Sequence, residues 1–229
     1  MSVREQVGTV EVPAESLRVP RTEVFRYMGL RGQKPDGALA ALTESCLSAF
    51  GRVVRYRACY LVLPVRRTGG GVDFGAFFAA GQSLSRHLEG CGRAVVFAAT
   101  TGMAAELQRR RAAVVSPARA LVLEAVGTAA VEGFCDELCR RWEKEFAGCP
   151  LRTRFSPGYG DLPLAVQKPL LGCLDSGRKA GITLTDSLLM VPQKSVSAIV
   201  GIGPEGGAPL RGCEGCGRQD CAFRRQEDL

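Results

Sequence analysis

The chain has 229 residues, 46% of them apolar and 23% charged. That length supports one sizeable domain with a real core, and the balance excludes whole-chain disorder, collagen and coiled coil. No apolar run reaches the ~18 residues of a membrane span. The N-terminus, MSVREQVGTVEV, carries early charges and no apolar signal core, so a cytoplasmic protein with no membrane partner is expected.

The net charge is +7, and arginine carries it, with 25 Arg against 5 Lys. The densest clusters are Arg109-Arg110-Arg111, Arg140-Arg141 and Arg224-Arg225. None alternates with aromatics as a nucleic-acid platform would, so nucleic acid is not the expected partner. Two readings of the charge remain: a solvated arginine-rich surface, or a docking face for an acidic protein.

The elements follow in chain order. An extended start leads to a short helix opened by Thr22-Glu23 and closed by Gly29. Helical spacing of Leu39, Leu42, Cys46 and Phe50 predicts a helix over Asp36 to Phe50. VVRYRACYLVLPV, residues 53–65, reads as a strand, and Gly69-Gly70-Gly71 as a turn. A short strand, a helix around Ser83–Leu88 and a strand at Arg93–Thr100 come next. Ser116 as N-cap and Pro117 at the first helical position open a long helix, which Gly148 and Pro150 close. Leu164 to Leu174 has helical spacing, and 182–185, 188–191 and 196–202 read as short strands.

One stripe runs along the long helix: Leu121, Ala125, Thr128, Glu132, Cys135, Cys139, Trp142, Phe146. It is apolar or small except at Glu132. A carboxylate on a core-facing stripe needs a cation or donors to meet it. Either an arginine from the core edge pairs with it, or it faces a cavity and a cationic or hydroxyl-bearing ligand.

Histidine occurs once, as His87 in an amphipathic segment, which reads as a surface residue. A multi-histidine metal site is therefore excluded. Seven of the ten cysteines, Cys46, Cys59, Cys91, Cys135, Cys139, Cys149 and Cys173, sit singly in apolar surroundings and read as small buried hydrophobes. The other three, Cys213, Cys216 and Cys221, follow a C-x2-C-x4-C spacing that brings three thiolates within reach of one metal. Zinc and an iron–sulfur cluster are not separable on that spacing, and either needs a fourth ligand from elsewhere. GIGPEG at 201–206 spells a glycine fingerprint, but no helix begins after it, so it reads as a linker.

The region from Arg154 to Gly203 resembles the activation domain of vitamin B12-dependent methionine synthase. The family's R-x-A-P-G-Y-P loop appears as Arg154-Phe155-Ser156-Pro157-Gly158-Tyr159-Gly160. Its Gly-x-x-Leu-Thr-Glu-Ser, Met-x-Pro and Ser-Val-Ser elements appear as Gly181 to Ser187, Met190-Val191-Pro192 and Ser195-Val196-Ser197. Upstream, the family's glutamate context matches Glu132-Gly133-Phe134-Cys135-Asp136, on the same Glu132 that interrupts the stripe. An aspartate of the family has no counterpart in Tyr27-Met28-Gly29.

The resemblance implies an α+β domain, with a central, mostly antiparallel twisted sheet and helices around it, over residues 1–203. A Gly/Cys-rich tail occupies 204–229. It implies S-adenosylmethionine binding through Glu132, Arg154, Ser156, Gly158 and Tyr159, with no catalytic acid or base. It implies a corrinoid-binding methionine synthase as partner carrying cobalamin, and flavodoxin or ferredoxin as electron donor. The chain then reads as a stand-alone reactivation factor acting in trans. The alternative is a metal-binding redox or adaptor protein that keeps the fold and has lost the ligand.

Overall fold

The computed structural model describes residues 6–30 and 33–206. The elements are β1 (Gly8–Val12), α1 (Arg21–Tyr27), α2 (Gly37–Gly51), β2 (Tyr56–Pro64), β3 (Arg66–Thr68), β4 (Gly71–Asp73), β5 (Phe78–Ala80), α3 (Gln82–His87) and β6 (Arg93–Thr100). Then follow α4 (Met103–Val115), α5 (Pro117–Glu145), α6 (Gln167–Cys173), α7 (Ser176–Lys179), β7 (Thr183–Leu184), β8 (Met190–Val191) and β9 (Ser195–Ile202). The main sheet runs β1-β2-β6-β9, every pair antiparallel. Two small sheets, β3-β4-β5 and β7-β8, lie apart from it. This is the expected α+β architecture.

Alternation along the strands gives the sheet two buried faces. Tyr56 and Ala58 of β2, Val95, Phe97 and Ala99 of β6, and Ala198, Val200 and Ile202 of β9 join one core with α5. Cys59, Leu61 and Leu63, Ala94, Val96 and Ala98, and Ile199 join a second core with Leu84, Leu88, Leu170 and Leu174. The edge of β9 is covered by the segment after α5, through single bridges at Leu151–Ile202 and Phe155–Ile199.

Helix α5 spans 29 residues, about 43 Å at 1.5 Å per residue. Ser116 Oγ accepts from Arg119 N at 3.3 Å, as its position before Pro117 predicts. The helix is buried on several faces, because α1, α2, α4 and the sheet all pack against it. The predicted stripe is therefore only part of its core face: Val122, Val126, Phe134 and Leu138 are also buried, and Leu121 is exposed.

Three further expectations are corrected. Residues 103–115 form a full helix, α4, that the periodicity did not predict. Its buried residues are Ala105, Glu106 and Ala112, whereas Met103, Leu107, Val114 and Val115 face outward, so the apolar pattern is inverted. His87 is half-buried and bonded rather than a free surface residue. Of the seven single cysteines, Cys139, Cys149 and Cys173 are only partly buried. No described helix is long and apolar enough to cross a membrane. The cysteine tail lies outside the described residues.

Candidate functional site

Residue 154 follows the bridge geometry of the β9 edge. Phe155 pairs with Ile199, and both side chains join the second core. Its neighbour Arg154 therefore points to the opposite face, toward α5. There the guanidinium meets Glu132 at 2.8 Å and Asp136 at 3.1 Å. Arg154 Nη1 also donates to the Glu132 backbone oxygen at 3.5 Å. Glu132 and Asp136 are four residues apart, so α5 presents both on one face. Asp136 belongs to the site although sequence reasoning named only Glu132. Its i+4 position was the available signal.

The site is partly desolvated: the Arg154 side chain is 21% exposed, and Glu132 and Asp136 are each 33% exposed. Burial opposes the Arg154 charge, but the Glu132 and Asp136 carboxylates help to outweigh it and hold the guanidinium above its ordinary range. Burial pushes the Cys135 thiol well up and the Cys139 thiol to about 11, with Arg154 pulling both the other way. Both thiols are thus neutral near pH 7 and poor nucleophiles. Tyr27, at the C-terminal end of α1, feels the charge of this cluster. Burial raises its phenol, and the Glu132 charge adds to the rise. The Arg26 guanidinium stacks over the Tyr27 ring at 4.2 Å and binds Glu23 at 2.7 Å.

The loop after Arg154 is tightly built. Tyr159 N donates to Ser156 O at 3.0 Å, and Gly158 N to Leu162 O at 2.9 Å. Gly158 has φ +92°, a conformation that favours glycine. Tyr159 is 57% exposed, and its ring packs edge-on to Phe155 at 5.9 Å. The structure thus brings Arg154 directly onto Glu132, and places Ser156, Gly158 and Tyr159 on the turn that follows. No hydrogen bond joins Tyr159 to Glu132 among the described residues.

Helix α3 anchors this loop at both ends. His87 Nε2 donates to the Thr153 carbonyl at 2.8 Å, and its ring lies 5.0 Å from Phe155. Asp161 accepts from Gln82 N at 2.7 Å and Ser83 N at 2.9 Å. These two anchors were not found from sequence, because they pair residues more than sixty positions apart. No group of three or more metal-ligating side chains occurs among the described residues.

These features define an α+β domain whose charged centre lies where a long helix meets a covered sheet edge. Residues 96–207 match the family model for the vitamin B12 dependent methionine synthase activation domain. No curated protein sequence matches the chain. Thirteen chains of solved structures do. One is the crystal structure of the MetH reactivation domain bound to AdoHcy, at TM-score 0.67 and 18% identity, covering 90% of this chain and 81% of that one. The chain resembles the activation domain of vitamin B12-dependent methionine synthase and has its fold.

Proposed function

We propose that this chain binds S-adenosylmethionine and acts as a stand-alone reactivation factor for a cobalamin-dependent methionine synthase or related corrinoid protein. The observation that supports the reading is the Glu132–Arg154–Asp136 cluster, in which Glu132 and Arg154 are residues the family resemblance assigns to ligand binding. With two carboxylates and one guanidinium, the cluster has a formal charge of −1. S-adenosylmethionine carries a carboxylate, an ammonium and a sulfonium, a formal charge of +1. The ligand's ammonium on Glu132 and its carboxylate on Arg154 would exchange one ion pair for two, with Asp136 still holding the arginine. The Ser156–Tyr159 turn offers backbone groups and an exposed ring for the rest of the ligand.

The partner's cobalamin would supply the nucleophilic metal, with one electron from a flavodoxin or ferredoxin. That metal would accept the methyl group from the sulfonium, leaving S-adenosylhomocysteine. This chain's residues bind and orient the ligand and carry no proton. The Cys213, Cys216 and Cys221 tail is proposed to hold zinc or an iron–sulfur cluster as an electron input or docking element. Metal analysis of anaerobically purified wild type and Cys213→Ser tests it, and absence of both iron and zinc removes it.

A second reading is favoured by the same cluster. Arg154 is already satisfied without a ligand, as a fold that had lost ligand binding would require. Calorimetric titration separates the two. Binding of S-adenosylmethionine that Glu132→Gln and Arg154→Ala each weaken at least about tenfold, or ~1.4 kcal/mol, supports the reactivation reading. S-adenosylhomocysteine, which lacks the sulfonium charge, should bind more weakly. If neither ligand binds, alone or with a cobalamin-loaded synthase, the adaptor reading stands.

A further inference from the structure

A groove of about 650 Å3 lies between residues 14–22, helix α2 and the start of β2. That volume is in the range of small-molecule sites, roughly 300–1,000 Å3. Neither Glu132 nor Arg154 lines it. It adjoins Arg21 at the N-terminal end of α1, whereas Tyr27, at the other end of that helix, does not line it.

The groove is built in three layers. Leu17, Val19, Leu47, Phe50 and Val54 supply apolar walls. Tyr56 is 2% exposed and packs its ring on Phe134 at 5.2 Å. Its hydroxyl forms no hydrogen bond among the described residues, and burial alone pushes the phenol up to about 12. Tyr56 lines the groove and its hydroxyl is not sealed from solvent, so it is open to an acceptor atom there. Arg18 and Arg21 stand at the rim with Glu44. Arg21 pairs with Glu44, while Arg18 has no carboxylate partner among the described residues. The rim therefore has one positive charge in excess.

We propose that this groove is a binding site for a small amphipathic anion. The apolar body lies against Leu17, Leu47 and Phe50, an anionic head pairs with Arg18, and an oxygen acceptor meets the Tyr56 hydroxyl. The site is independent of S-adenosylmethionine binding and does not rest on it.

The probe is 8-anilinonaphthalene-1-sulfonate, which joins an aromatic body to a sulfonate, titrated into the full chain by fluorescence. Saturable binding at one site is expected. Arg18→Ser changes an exposed side chain, so folding is retained. It should weaken binding several-fold and reduce its salt dependence. Leu47→Trp fills the groove and should weaken binding at least about tenfold. Tyr56→Phe should weaken it without changing the salt dependence. Val114→Ser, on the exposed apolar side of α4, is the control and should have no effect. The proposal is overturned if binding never saturates, if Arg18→Ser and Leu47→Trp both leave it unchanged, or if Val114→Ser removes it.

Discussion

The Arg154 guanidinium bridges Glu132 and Asp136, two carboxylates one helical turn apart on α5, at 2.8 and 3.1 Å. The bridge ties the longest helix to the segment that covers the edge of β9. It neutralises one of two like charges that would otherwise face each other in a half-buried place. The same side chain therefore stabilises the fold and holds the candidate ligand site.

Arg154→Ala should lower stability by about 1–3 kcal/mol, less than for a fully buried pair because all three groups keep some water contact. Arg154→Lys should recover part of this, since an ammonium cannot reproduce the planar fork. Urea denaturation of the three proteins at pH 7.5 measures both steps. Equal stability of Arg154→Ala and wild type would contradict the tie.

His87 gives the fold a pH dependence of defined sign. Burial lowers its pKa below the ordinary 6.5, the Thr153 hydrogen bond opposes this, and the Arg152 charge adds to the lowering. The native state thus favours the neutral ring. Its contribution is complete above about 6.5 and is lost as pH falls through the depressed native value. Melting temperatures recorded from pH 7.5 to 5 should fall more in wild type than in His87→Phe, which keeps a ring against Phe155 and cannot titrate. Identical slopes would show that His87 is not the group responsible.

Gly160 has φ +54°, and a Cβ there would lie 2.7 Å from Ser83 Oγ and 2.8 Å from Ser83 Cβ. Gly160→Ala should therefore push the 156–161 turn off α3 at a cost of about 1–3 kcal/mol. Adding Ser83→Gly should recover the part due to the clash and leave the part due to φ. Thermal melts of the single and double variants separate the two.

Glu106 is a carboxylate with its side chain 1% exposed. It accepts from Gln193 N at 2.7 Å and pairs with Arg110, holding the 192–194 turn to α4. Glu106→Leu leaves that backbone N–H unpaired, and a loss of about 1–3 kcal/mol is expected in urea denaturation. A neutral result would mean that water replaces the carboxylate without cost.

The sequence made some of this legible and concealed the rest for physical reasons. Capping chemistry is local, so Ser116 marked the start of α5 correctly and accepts the predicted backbone bond, while apolar spacing placed α2, whose cap is Asp36. Glu132 was visible because it broke an apolar stripe. Its partner Asp136 was not, because a carboxylate beside Glu137 on a charged stretch looks like surface. Helix α4 was hidden because its core side is alanine and glutamate, and its arginines and exposed valines obscure the period. His87 and Asp161 were hidden because their roles depend on which loop the fold brings to α3.

The segment 151–155 covers the outer edge of β9 with bridges at Leu151 and Phe155. An uncovered strand edge offers a row of free amide and carbonyl groups to any neighbouring chain. Damage to the α3 anchors would therefore uncover β9 while the rest of the sheet stays paired. Such variants would fail first by intermolecular strand pairing, and light scattering would register the defect before circular dichroism did.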